Sequence, residues 1–204
     1  MITSQSARML TRYNAWANRL IFDAVAALPE GEAAKERPSL FRNMVHTLNH
    51  NYVIDLIWQA HLEGREHGFA ARNTPDHPPL AELWRLQQVV DGWYVGWSDA
   101  LADAAFDEKI NFTLIGGTPG VMTRGEILLH IVNHTSYHRG FVADLFYQVP
   151  ARPPTTDLPV TSITVAPAGA AMLDAGPISR MRPFSITTLI SFCGPAPVPS
   201  MSVA

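Results

Sequence analysis

The stretch Leu128-Leu-His-Ile-Val-Asn-His-Thr-Ser-Tyr-His-Arg-Gly140 sets His130, His134 and His138 four residues apart. On an α-helix, residues i and i+4 share a face and lie about 6 Å apart along the axis, so neighbouring imidazoles can be aimed at one point. Just upstream, Thr123-Arg-Gly-Glu126 has the threonine and glutamate spacing of a capping box ahead of an apolar run, which predicts where this helix begins. The face bearing His134 and His138 also bears Ile127, Ile131, Phe141 and Leu145, so it is the face expected to turn inward. The opposite side, with Leu128, Val132, Thr135 and Phe146, is more apolar than a solvated surface needs. That excess predicts a homodimer through this helix or its neighbours.

A second pair at the same spacing, His46 and His50, falls in Asn43-Met-Val-His-Thr-Leu-Asn-His-Asn-Tyr-Val-Ile-Asp-Leu-Ile-Trp58. The reading here is a helix opened by Ser39 as cap after Pro38, running to Glu63 and stopped by Gly64. His50 shares a face with Val53, Ile54 and Ile57 and so points toward the interior, where each ring nitrogen needs a partner. Two helices of one bundle are expected to bring the two histidine segments together around a divalent metal.

Working outward, Leu10, Tyr13, Ala17, Leu20, Ala24 and Leu28 step by three or four, which predicts an amphipathic helix from about Ser4 to Leu28, stopped by Pro29. Its Tyr13, Asn14, Trp16 and Asn18 read chiefly as core. Residues 65–79 are loop by composition, with His67 and His77 solvated. A third helix runs from Leu80 to Leu101 with Leu83, Val90, Tyr94, Trp97 and Leu101 inward. Gly92 and Gly96 each weaken it by about 1 kcal/mol relative to alanine, a cost explained either by close approach of another element or by chance. Lys109 to Ile115 alternates and is rich in β-formers, Gly116 to Gly120 reads as a turn, and Val121-Met122 completes a small hairpin. The glycines there lack the lysine of a phosphate loop.

The fold class expected is therefore all-α, a four-helix bundle over residues 1–159 with a short β-like excursion before the last helix. Pro150 to Pro159 reads as an extended run able to lie along the bundle. Residues 160–204 are dominated by Ala, Pro, Ser and Thr without sustained period, as expected of a disordered tail, and short apolar pieces such as Ile186 to Phe192 are the parts able to dock.

With 47% hydrophobic residues in 204, the chain carries enough apolar material for one domain with a real core. A net charge of −3 with 15 Lys and Arg gives no basic footprint, which speaks against nucleic acid as a partner. The lone Cys193 excludes an internal disulfide or a cysteine-rich zinc module. The first ten residues contain no apolar leader core, and prolines and serines interrupt the uncharged stretch near the C-terminus, so the expectation is a cytoplasmic protein with no membrane partner.

Buried imidazoles gathered without an ion would strand lone pairs or protons, and protonation would set like charges side by side. Three neutral nitrogens suit Zn, Ni, Fe or Mn and leave a position open for water or substrate. A His-Glu-x-x-His motif is absent, and with it the general base of the zinc proteases. Spacing alone does not choose among His46, His50, His130, His134 and His138.

Thr47 to Trp58 and Leu129 to Gly140, with Tyr13-Asn-Ala-Trp-Ala-Asn18 before them and Pro153-Pro-Thr-Thr-Asp-Leu158 after, resemble the damage-inducible DinB family over about residues 5–159. The resemblance implies a DinB/YfiT-like bundle, often dimeric, with a divalent metal held by His50, His134 and His138. His46, His130 and Arg139 then stand behind or beside the ligands, Arg139 either pairing with a carboxylate on the outer face or binding an anionic substrate. Asp55 and Trp58 read as structural. Where the family commonly has glutamine, this chain has Phe141, and the tail past Val160 matches no part of the family pattern. The resemblance further implies a metal-dependent transferase or hydrolase-type enzyme using a low-molecular-weight thiol or another small molecule; the alternative is a non-catalytic, stress-associated metal-binding protein.

Overall fold

In the computed structural model, residues 2–159 are described. They form four long helices, α1 (Ser4–Ala26), α2 (Met44–Leu62), α3 (Leu80–Ala100) and α4 (Arg124–Phe146), with a 3-10 turn at Asp103–Asp107 and a hairpin of β1 (Lys109–Thr113) and β2 (Pro119–Thr123) between the last two. The expected tail at 160–204, Cys193 and the apolar piece near Ile186 lie outside the described residues. No helix among the described residues is long and apolar enough to cross a membrane.

Local chemistry sets most boundaries. Thr3 caps α1 by accepting from the Ser6 amide, and the helix gives out at Ala26 because Leu28, preceding Pro29, is disfavoured in the α region. Thr123 and Glu126 close the expected capping box at the start of α4, each side chain accepting from the other residue's backbone amide. The start of α2 differs from the expectation. Its cap is Asn43, whose Oδ1 accepts from the His46 amide at 2.7 Å, and not Ser39. Arg42 adopts φ 66°, so the chain cannot remain helical through this residue, and Ser39 Oγ is left buried without a partner. In the hairpin, Lys109 pairs with Thr123 and Thr113 with Pro119. Gly116 (φ 101°) and Gly117 (φ 88°) supply the left-handed conformation its turn requires.

Around the bundle the order is α1, α3, α2, α4, so α2 and α4 are neighbours. One apolar cluster unites Ile21 and Phe22 of α1, Met44 and Leu48 of α2, Leu83 of α3 and Phe146 of α4. A second joins Val53, Ile57, Val90, Tyr94, Ile127 and Ile131. Leu128 and Val132 pack with Ala7 and Phe106 in a third. Leu128, Val132, Thr135 and Phe146, the residues behind the expected dimer, are buried within the chain itself. Helix α4 is apolar on two sides because it is flanked on two sides, by α1 and the 3-10 turn as well as by α2. Gly92 and Gly96 have open space where a Cβ would stand, so close approach does not explain them.

Candidate metal centre

Between the first two apolar clusters, the helices change character and present polar side chains inward. On α2 this layer falls at Asn49, His50, Asn51 and Asp55; on α4 it falls at His134, Thr135, His138 and Arg139. Four-residue spacing places His134 and His138 on the α4 face that meets α2, with ring centroids 4.5 Å apart. His50 reaches across from α2, 5.0 Å from the His134 ring and 4.5 Å from that of His138. One ring nitrogen from each of the three lies within 4.8 Å of the others.

The orientation of His50 is fixed from outside the bundle. Its Nδ1 is 2.7 Å from the carbonyl oxygen of Arg72. A carbonyl can only accept, so Nδ1 carries the proton and Nε2 keeps a bare lone pair. That lone pair faces His134 Nε2 at 3.1 Å. Two nitrogens on a tetrahedral ion with bonds near 2.05 Å would stand about 3.3 Å apart, close to this separation. His134 Nδ1 and His138 Nδ1 are both buried without a hydrogen-bond partner among the described residues. A Lewis acid between the three rings fits the donor set.

The electrostatics agree. Burial, reinforced by the neighbouring imidazoles, pulls His134 down to about 3, and burial with His50 pulls His138 down to about 4. Burial lowers His50 too, opposed in part by its bond to the Arg72 carbonyl. Near neutral pH the rings are therefore neutral, the form in which imidazole binds a metal.

The other expected residues stand elsewhere. His46 lies one turn before His50, but its Nε2 is 2.9 Å from the Thr74 carbonyl and its ring packs against His77. His130 packs against Trp58 at 5.0 Å and His134 at 5.7 Å, and lines a cavity beside the triad. Arg139 corrects the expectation of an outer face: it is 2% exposed. Its guanidinium donates to Asn14 Oδ1 (2.7 Å), Asn18 Oδ1 (2.9 Å) and Ser136 Oγ (2.9 Å). Asn18 in turn donates to Asp91, and Gln87 bridges Asp91 and Asp55. Burial first of all pushes Asp91 up to about 6 and Asp55 up to about 8. At pH 7 Asp55 is mostly protonated, while Asp91 remains the counter-charge of Arg139. This network ties together all four helices directly behind the histidines.

The loop at 65–79 does more than its composition predicted. Asn49 Nδ2 donates to Asn73 Oδ1 and Thr74 Oγ1 at 2.6 and 2.7 Å, and Asn73 Nδ2 donates to the His46 carbonyl. These bonds pin the loop so that the Arg72 carbonyl reaches His50. A backbone carbonyl leaves no signature in sequence, although the polar Asn49 beside His50 was a usable hint. Phe41 stacks on His50 at 4.4 Å. Phe141, Tyr137 and Phe41 surround His138 at 5.4, 5.1 and 5.5 Å, so an apolar wall replaces any polar role at position 141.

The sequence profile described as DinB family matches residues 1–166. Protein DinB of Bacillus subtilis (strain 168) is 30% identical over 149 residues, covering 71% of this chain and 87% of that protein.

Proposed function

Because the chain belongs to the DinB family, we propose that it is a metal-dependent enzyme of the thiol-transferase type, with His50, His134 and His138 holding one divalent ion. The observation that carries this reading is the convergence of three imidazole nitrogens from two helices within 4.8 Å. A divalent ion with a position left open lowers the pKa of a thiol or a water there, which supplies a nucleophile near neutral pH.

The chain's own residues prepare the place. The Arg72 carbonyl holds His50 in the tautomer with a free Nε2. Asn49 and Asn73 hold the loop that provides that carbonyl. Arg139, tied to Asn14 and Asn18, fixes the turn of α4 that carries His138. Phe41 and Phe141 limit water on the His138 flank. In the reaction, sulfur forms a bond to an electrophilic carbon, the leaving group departs with the bonding electrons, and the thiol proton passes to solvent. No side chain serves as nucleophile.

Elemental analysis of purified protein beside His138→Ala tests the metal. About one ion per chain in the parent and loss of it in the variant are expected; equal metal in both would exclude this ligand set. Metal-loaded protein assayed with bacillithiol, mycothiol and glutathione and an electrophile tests the reaction. Silence across that panel, with metal present and required for folding, would favour the non-catalytic alternative.

A further inference from the structure

A cavity of about 270 Å³ opens beside His134. Its apolar walls are Ile54, Ile57 and Trp58 of α2 with Leu114 and Ile115 from the hairpin turn. We propose that it is the binding site of the second substrate, a small, flat, apolar molecule bearing a carboxylate or comparable hydrogen-bond-accepting end. This inference rests on the metal-dependent reading of the neighbouring triad and adds the class of molecule that meets it.

Size gives the first constraint. Small-molecule sites usually span about 300–1,000 Å³, and an apolar cavity of about 150 Å³ already holds benzene. The space therefore fits one ring with a substituent and is too small for a peptide-like thiol. Rigidity gives the second. The Trp58 ring is held by Phe112 at 4.9 Å and His130 at 5.0 Å, both edge-on, so the wall is preformed. Phe112 is seated in turn over Gly120, where any Cβ would come within 2.5 Å of its ring. The hairpin thus places Leu114 and Ile115 against the cavity.

Chemistry of the lining gives the third. Its polar members are His61, Arg72, His130 and His134, with no carboxylate among them. Arginine can only donate, and a neutral histidine can offer a donor. His61 contributes its ring to the wall, edge-on to Trp58 at 5.4 Å. Arg72 is the one charged member of this lining, and it favours a ligand with an accepting or anionic end. Position gives the fourth: aromatic rings crowd the His138 flank of the triad, while His134 itself forms part of the cavity wall.

The test is a binding titration by ligand-observed NMR on the full chain, metal-loaded and metal-stripped, with 4-methylbenzoate and 4-methylbenzylammonium. These probes share one body and carry opposite charges. We expect the benzoate to bind at least tenfold more tightly in both preparations. Ile115→Trp, which fills the cavity from the exposed turn and spares the helices, should weaken it at least tenfold with unchanged metal content and circular dichroism. Equal binding of the two probes, no binding of either, or undiminished binding to Ile115→Trp would overturn the proposal. Benzoate selectivity in a chain that takes up no metal would leave the cavity assignment standing and remove the metal reading. Metal uptake without selectivity would do the reverse.

Discussion

Replacing Arg139 by leucine should be the most damaging single change in the polar layer behind the histidines. The guanidinium donates to Asn14 Oδ1 and Asn18 Oδ1 at 2.7 and 2.9 Å, and through Asn18 it is linked to the Asp91 carboxylate. Leucine would leave two buried amide oxygens without donors, at roughly 1–3 kcal/mol each if nothing relaxes. It would also remove the positive charge that acts on the Asp91 carboxylate through Asn18; no direct ion pair joins the two, so this adds less than the ~3–5 kcal/mol of a broken buried pair. These terms overlap, because Asp91 can take a proton and Asn18 can turn, so the expected net loss is about 3–5 kcal/mol near pH 7. The pH dependence follows from Asp91. Its folded pKa is raised to about 6, so its contribution is fully present below the unfolded value near 4 and is lost as pH rises through 6. Without Arg139 the folded pKa rises further, and the loss continues to higher pH. The variant should therefore fall further behind the parent between pH 6 and 8. Urea denaturation followed by circular dichroism at pH 5.5 and 8 reads both quantities, with metal removed from both proteins. Asp91→Asn in the Arg139→Leu background should recover at least about 1 kcal/mol at pH 8. A loss below about 1 kcal/mol, or one that does not change with pH, would show that Arg139 and Asp91 are not coupled as described.

Asn43→Ala should cost about 1 kcal/mol by removing the cap of α2, whereas Ser39→Ala should be neutral or slightly stabilising, and comparing the two denaturation midpoints decides which residue starts the helix. Gly92→Ala and Gly96→Ala should each raise stability by about 0.5–1 kcal/mol, since both positions have room for a methyl group; a drop in either midpoint would reveal a contact at that face. In the metal-free chain, His134 and His138 have folded pKa values of about 3 and 4 against about 6.5 unfolded. Their contribution is present above pH 6.5 and is lost as pH falls through 4 toward 3. His134→Gln should flatten this acid loss in a pH series of urea midpoints, and an unchanged slope would mean that the ring is not held neutral by burial.

The sequence by itself determined the elements and the spacing of the candidate ligands. Apolar steps of three and four marked the helices, Thr123 and Glu126 marked the start of α4, and alternation with Gly116 and Gly117 marked the hairpin. Each is a local property, fixed by the geometry of a few consecutive residues. The spacing of His134 and His138 belongs to the same class, because one turn of helix suffices to align them. Only the tertiary structure decided the rest, since it depends on residues far apart in the chain. Spacing alone left His46 and His50 open and only the resemblance implied His50; the rotation of α2 against α4 is what sets His50 beside the α4 pair, while His46 serves the loop at Thr74. Arg139 reads as a surface cation until Asn14, Asn18 and Asp91 arrive from two other helices to satisfy it. The second apolar side of α4 reads only as a surface that something must cover, and α1 and Phe106 cover it. A helix discloses in its sequence which of its faces avoid water, but not whether its own chain or another will cover them, because burial is a property of the assembled neighbours.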